Sequence, residues 1–202
     1  MNRNLALLGT MLPIAIWSAI APYDRLTWWL EVAPVIVGFA LIFAVRARFQ
    51  FCRFAMVLIG IHMAILLVGG HYTYARVPLF DWIRDAMGLA RNHYDRLGHV
   101  AQGAIPSIIA REILLKNRAV RGAGWLFFLI VCIAMAVSAL YELLEWGAAV
   151  FTGEAAEQFL ATQGDPWDTQ KDMALCGVGS LLSLLVLRRA HDRSMEKDRQ
   201  VP

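Results

Sequence analysis

The chain has 202 residues, of which 58% are apolar and 17% are charged, and its formal net charge is +3. Soluble domains average about 45–50% apolar and about 25% charged residues, so the composition indicates a membrane protein of one domain. No basic run is interleaved with aromatic residues, which argues against a nucleic-acid partner. The three cysteines are isolated and have no C-x-x-C spacing, which supports neither a disulfide framework nor a zinc-thiolate site.

The first apolar segment is compatible with either a membrane span or a signal peptide. Arg3 precedes an apolar run over residues 5–22, and Ala19 and Ala21 have the small-x-small spacing of a cleavage site. The run is long for the apolar part of a signal peptide and long enough to cross a bilayer. We therefore expect an uncleaved first transmembrane helix.

Apolar segments along the chain predict an all-α membrane protein, a bundle of about six transmembrane helices. They cover residues near 5–22, 28–45, 54–70, 97–115, 124–151 and 168–187. A span needs about 20 largely apolar residues, a length that the sixth segment reaches only if it starts at Asp168. In the third connection, apolar and charged residues alternate at near-helical spacing, which predicts a short amphipathic helix on the membrane surface. A plain loop is the alternative there.

The distribution of basic residues predicts the orientation of the chain. The second and fourth connections contain arginine and lysine without acids, whereas the fifth is acidic. Because short basic connections stay in the cytoplasm, both termini are expected there, with residues 188–202 as a cytoplasmic tail. The expected location is the bacterial inner membrane, crossed several times.

Three pairs of ionisable residues are the most unusual feature of the apolar segments. They are Asp95 and His99, Glu142 and Glu145, and Asp168 and Asp172. Each pair is spaced three or four residues apart and so shares one helix face. The predicted orientation puts all three pairs in the outer half of the membrane. Ionisable groups there usually face a bundle interior or an aqueous cavity, so we expect one polar site open to the outer face.

This site has the residue types of a metal centre. Carboxylates and a histidine from several helices are ligands that bundles use for magnesium, manganese, zinc or iron. The hypothetical metal ligands are Asp95, His99, Glu142, Asp168 and Asp172. A spare carboxylate could activate water, and the candidates for this catalytic role are Glu142, Glu145 and Asp165. Further polar residues assigned to the site are His71, Gln102, Tyr141 and Gln170.

Three functions remain open at this point. A metal-dependent membrane enzyme, or a binding protein, acting on a lipid-linked or envelope substrate is favoured. A transporter of a cation or small solute is the alternative, since buried carboxylates also mark ion pathways. A structural role is the third: Asp168 could cap a helix, Glu142 or Glu145 could pair with Arg96, and His99 could bond to Gln102. The sequence specifies neither the metal nor the oligomeric state.

Four sequence segments resemble the YjdF family of bacterial inner-membrane proteins. They are YDRLGH at 94–99, RE at 111–112, SALYELLEW at 138–146 and QGDPWDTQKDM at 163–173. The resemblance covers most of the chain and implies a fold and a location, without a specific activity.

A remoter resemblance is to VanZ-like membrane proteins, which are associated with glycopeptide-antibiotic resistance. Asp95 and His99 match the first motif of that group, and Asp168 and Asp172 match its third. In the second motif Glu142 matches, while Glu145 stands where that group has glutamine.

Overall fold

The structure is a computed structural model that describes residues 8–152 and 162–200. All of its named elements are α-helices, which we number in chain order. They are α1 (Leu12–Ala19), α2 (Arg25–Val45), α3 (Arg53–Tyr72), α4 (Pro78–Met87), α5 (Tyr94–Lys116), α6 (Ala123–Thr152), α7 (Asp168–Val186) and α8 (Arg188–Gln200). The predicted all-α membrane fold is confirmed.

Not every helix is apolar enough to count as a span by itself. Three of them, α2, α3 and α6, have the length and hydropathy needed to cross a membrane. Helices α7 and α8 reach this length and hydropathy only when they are taken together, and a bend of 59° separates them. Helix α5 has 23 residues but carries several charged groups, and α1 has 8 residues. The first predicted span lies partly outside the described residues, and six spans stay a prediction.

The predicted amphipathic helix in the third connection is present as α4. It begins with Pro78, a residue suited to the first helical turn, and ends at Gly88, which adopts the left-handed conformation with φ 64°. No residue of α4 is buried, and Trp82 is 68% exposed. Arg84 pairs with Asp81 at 2.7 Å on the polar face. An exposed apolar face of this kind suits a helix that lies on the membrane surface.

Helices α5 and α7 pack backbone against backbone. A side-chain carbon added at Gly103 would overlap the carbonyl of Cys176, and one added at Gly179 would overlap the carbonyl of Val100. Below this contact, the hydroxyl of Ser107 on α5 bonds to another serine hydroxyl on α7 at 2.7 Å. Small residues permit such close approach in membrane bundles. The contact holds the first turns of α5 and α7 side by side.

The bundle has two chemically different ends. We call the end where α2, α5 and α7 begin and α3 and α6 end the site end. There, Trp28 Nε1 donates to Ser18 Oγ at 2.9 Å, and Ser18 Oγ donates to the carbonyl of Leu67 at 2.6 Å, which joins α1, α2 and α3. The opposite end, which we call the tail end, carries α8. At the tail end, the Phe54 amide donates to Ser194 Oγ at 3.1 Å and so ties α8 to α3.

Candidate functional site

Asp95, His99 and Asp172 meet at the site end. Asp95 and His99 lie one turn apart on α5, and Asp172 lies in the second turn of α7. One potential ligand atom from each of the three lies within 4.8 Å of the others, and all three side chains are buried. The His99 Nε2 atom is 3.4 Å from a carboxylate oxygen of Asp95.

Gln102 orients the ring of His99. His99 Nδ1 lies 3.1 Å from the amide oxygen of Gln102, which can only accept a hydrogen bond. When Nδ1 carries the proton that this oxygen accepts, Nε2 is the ring nitrogen that faces the carboxylate of Asp95. Histidines that bind metals are commonly held in this way, with one ring nitrogen donating to a neighbouring acceptor and the other facing the ion.

Glu142 approaches the same group from α6. Its Oε1 atom lies 3.8 Å from His99 Nδ1, and the residue is 7% exposed. Within the described part of the chain, neither Glu142 Oε1 nor Asp172 Oδ1 has a hydrogen-bond partner, although Asp172 is only 3% exposed. A buried polar atom without a partner is costly, and most such atoms in proteins are satisfied. The two oxygens are therefore the atoms of this group that could contact a bound ligand.

Two other predicted site residues, Asp165 and Asp168, lie in an ion-pair network beside this group. Arg91 Nη1 contacts Asp168 Oδ1, and Arg91 Nη2 lies 3.5 Å from Asp95 Oδ2. Arg96 Nη2 lies 2.8 Å from Asp165 and 3.5 Å from Asp168. These two carboxylates are thus already neutralised by cations. The suggested pairing of Arg96 with Glu142 or Glu145 is wrong, because Arg96 faces the α6–α7 connection instead.

Asp165 lies outside the helices, at the edge of the network. Lys171 Nζ approaches Asp165 Oδ2 to 2.6 Å. This hydrogen bond lowers the pKa of Asp165 to about 2, against an ordinary value of 3.8. A carboxylate held so firmly in its charged form is poorly suited to accept a proton. The geometry makes Asp165 a tether between the connection and α7.

A cavity of about 220 Å³ adjoins the group formed by Asp95, His99, Glu142 and Asp172. The polar residues that line the cavity are Glu31, His62, Tyr74, Asp95, His99, Gln102, Tyr141 and Glu145. Tyr141 donates its hydroxyl proton to Glu31 at 2.9 Å, which places this pair across the cavity from α5. Two of the predicted site residues, Tyr141 and Glu145, therefore face the cavity and not the group itself.

Sequence reasoning missed two residues of the site. Arg91 is four residues before Asp95 but precedes the first residue of α5, so helical periodicity did not predict their contact. Glu31 is an isolated carboxylate in an apolar segment, and only the fold shows that it meets Tyr141 of α6.

His71 and Gln170 lie apart from the cluster. The ring of His71 stacks on Trp17 with 4.2 Å between centroids, and its Nδ1 bonds to the Ser18 carbonyl at 3.1 Å. Gln170 is exposed on α7. Asp168 does not act as the helix cap that was one structural alternative, because the residue at the cap position of α7 is Trp167.

Long apolar helices around a buried group of ionisable side chains define a polytopic membrane protein. A family model described as "Predicted membrane protein (DUF2238)" matches residues 3–193. The chain is 45% identical over 188 residues to "Inner membrane protein YjdF" of Escherichia coli (strain K12), a match that covers 93% of this chain and 90% of the relative. The chain therefore belongs to this family of membrane proteins, which confirms the family resemblance.

The family membership and the spanning helices make this a multi-pass inner-membrane protein. No solved structure matches the chain. The likeness to VanZ-like proteins stays a prediction.

Proposed function

We propose that the protein binds a divalent cation through Asp95, His99 and Asp172 and acts as a metal-dependent membrane enzyme on an envelope substrate. The observation that carries the proposal is the orphaned Asp172 Oδ1 within a buried set of three ligands, with the orphaned Glu142 Oε1 beside it. A bound cation would supply the missing partner and offset the negative charge of the carboxylates.

The donor set suits a hard or borderline cation. Carboxylate and imidazole ligands favour magnesium, manganese, zinc or iron(II), and no thiolate is among them. When bound, such an ion would polarise an oxygen of the substrate or activate a water molecule. Glu142, whose Oε1 lies 3.8 Å from His99 Nδ1, would be the group that accepts a proton at this site. Gln102 would accept a hydrogen bond from His99 Nδ1 and so leave Nε2 for the ion, and Arg91 Nη2 lies 3.5 Å from the second oxygen of Asp95.

We further propose that the site end faces outward. The loop and helix-end residues of the tail end include Arg46, Arg48, Arg53, Lys116 and Arg118, and basic connections of this kind remain in the cytoplasm. In a cysteine-free background, Arg118→Cys should react with an impermeant thiol reagent only after the cytoplasmic side is opened. Glu157→Cys should react in intact spheroplasts. Reversed labelling would contradict the proposal that the site end faces outward.

Metal content tests the proposal directly. We expect detergent-purified protein to retain one equivalent of manganese or zinc in equilibrium dialysis. Asp172→Asn and His99→Gln should each lose it while keeping a single size-exclusion peak and the same helical circular dichroism. Gln170→Ala, a change of an exposed polar residue two positions before Asp172, is the matched control and should bind as the wild type does. Equal metal content in Asp172→Asn and the wild type would contradict the proposal.

A transporter is less well supported. A polar solute path would have to continue from the site towards the tail end. Within the described residues, the interval between α5 and α7 is occupied by the Gly103 and Gly179 backbone contacts and the bond between Ser107 and Ser180. The space that continues on the other side of α5 is lined by apolar residues apart from His62, which favours a site that is polar on one side of the membrane only.

A further inference from the structure

An apolar groove extends from the cavity towards the tail end. It has a volume of about 410 Å³ and runs between α2, α3 and α5. Its lining includes Gly38, Phe39, Ile42, Met63 and Ile113. Small-molecule sites have volumes of about 300–1,000 Å³ and mostly apolar walls, a description that this groove meets.

The groove and the cavity are continuous. Pro34, His62 and Leu66 line both of them. Pro34 lies inside α2, and His62 and Leu66 lie one turn apart on α3. A single ligand can therefore have an apolar part in the groove and a polar part in the cavity.

Two orphaned groups face the polar part. Tyr74 is 5% exposed, and its hydroxyl has no hydrogen-bond partner among the described residues. The ring is held firmly, because a side-chain carbon at Gly69 would overlap it and one at Gly98 would lie 3.1 Å from it. His62 Nε2, at the junction with the groove, is likewise buried without a partner. The Tyr74 hydroxyl and His62 Nε2 are therefore both available to hydrogen-bond to a ligand.

The remaining lining of the cavity is rich in acceptors. Glu31 and Glu145 face it with carboxylates, and Gln102 and Asp95 lie on the opposite wall. Acceptors in a low-dielectric site need donors, and a cation among them is favoured further. The chemistry of the cavity therefore suits an ammonium or hydroxyl group.

We propose that the groove and the cavity together bind one membrane lipid. Its hydrocarbon chain lies along α2 and α3, and its head, which carries N–H or O–H donors, lies in the cavity beside Asp95 and His99. Both helices cross the bilayer, so a chain can enter the groove sideways from the lipid phase. The inference deepens the proposed function and rests on it for the chemistry, because it assigns the substrate to the class of membrane lipids with donor-bearing heads.

Photolabelling in nanodiscs tests this inference. The probe is phosphatidylethanolamine with a diazirine at the end of one acyl chain. Gly38 lines the groove, and a side-chain carbon there would meet nothing within 4 Å, so Gly38→Phe is the variant chosen to fill the groove. Gly147→Phe is the matched control, because Gly147 is another helical glycine with open space around it that does not line the groove.

We expect Gly38→Phe to reduce labelling of α2 and α3 about tenfold, which corresponds to about 1.4 kcal/mol of binding free energy. Gly147→Phe should label as the wild type does. Excess unlabelled phosphatidylethanolamine should compete with the probe, whereas phosphatidylcholine, whose head has no N–H donor, should not. Equal labelling of all three proteins, or equal competition by the two lipids, would overturn the inference and leave only lipid of the surrounding bilayer.

A second arm separates this inference from the metal proposal. Labelling that persists in Asp172→Asn after metal is lost supports the lipid site, since the groove is intact in that variant. Normal metal content together with labelling that Gly38→Phe does not change would overturn the lipid site and leave the metal site standing. Gly38→Phe should retain wild-type metal content, which shows that the bundle is folded.

Discussion

Two buried clusters at opposite ends of the bundle satisfy the same distance criterion for a metal site. At the site end the residues are Asp95, His99 and Asp172, and at the tail end they are Cys52, Glu112 and His191. In each set the potential ligand atoms lie within 4.8 Å of one another. Proximity of ligand atoms therefore does not distinguish the two clusters, and their hydrogen bonds do.

The tail-end cluster is internally satisfied. Glu112 accepts from the Cys52 amide at 2.6 Å, from Lys116 at 2.6 Å and from His191 Nε2 at 3.1 Å. Arg111 donates to His191 Nδ1 at 2.9 Å, so both ring nitrogens are occupied. Burial raises the pKa of the Cys52 thiol to about 11, which keeps it protonated and a poor ligand. This cluster fastens α8 to α3 and α5.

The site-end cluster differs in two respects. Asp172 Oδ1 in the cluster and Glu142 Oε1 beside it lack partners among the described residues, and a cavity adjoins the cluster. A structural cluster is expected to satisfy its buried polar atoms, whereas a binding site keeps some of them for its ligand. The comparison predicts opposite responses to mutation at the two ends.

The largest effect is expected at the tail end. Glu112→Ala leaves the Cys52 amide, Lys116 and His191 without the carboxylate that accepts from them. Breaking a buried pair of this kind costs about 3–5 kcal/mol of unfolding free energy. Unfolding in mixed detergent and SDS, followed by circular dichroism, measures this change. Glu196→Ala removes an exposed acid of α8 and is the control, with a change within about 0.5 kcal/mol. A loss at Glu112 no larger than that of the control would break the contrast between the two clusters.

The backbone contact between α5 and α7, which lies between the two clusters, should be the next most sensitive to mutation. Gly103→Ala forces α5 away from the carbonyl of Cys176, and overpacking of this kind costs about 1–3 kcal/mol. Gly38→Ala, where the added carbon meets open space, should change the unfolding free energy by less than about 1 kcal/mol. The same SDS titration measures both variants. Equal stability of the two would show that α5 and α7 do not depend on this close contact.

At the site end, removal of a carboxylate should stabilise the protein when no metal is present. Asp172→Asn removes a negative charge that lies beside Asp95 and has an unpartnered oxygen. Relief of this repulsion should stabilise chelator-treated protein by on the order of 1 kcal/mol. The melting temperature in the presence of EDTA measures the change. A destabilisation as large as that of Glu112→Ala would make the site-end cluster structural as well.

The smallest effect concerns the tether at Asp165, whose folded-state pKa is about 2 against an ordinary 3.8. A lowered pKa contributes stability above the ordinary value, and the contribution is lost as the pH falls towards 2. The melting temperature of the wild type should thus exceed that of Asp165→Asn by a constant small margin above about pH 5 and converge with it between about pH 4 and pH 2. A margin independent of pH would exclude the ion pair with Lys171 as its source.

Local patterns in the sequence were sufficient for much of the architecture. Long apolar runs predicted α2, α3 and α6, because burial of apolar surface in lipid depends on composition. Alternation of apolar and charged residues predicted α4. The spacing of Asp95 and His99 placed them on one helix face, since helical periodicity is a property of the local backbone.

Tertiary structure decided which of these polar residues have partners. Arg91 and Arg96 neutralise Asp168, while Asp172, one turn further on α7, is left with an orphaned oxygen. Glu112 lies in the last turns of α5 and is a buried anchor for His191, which is 79 residues away in the chain. Whether a polar residue is an anchor or part of a binding site depends on contacts between helices. The periodicity of a single helix gives no information about those contacts.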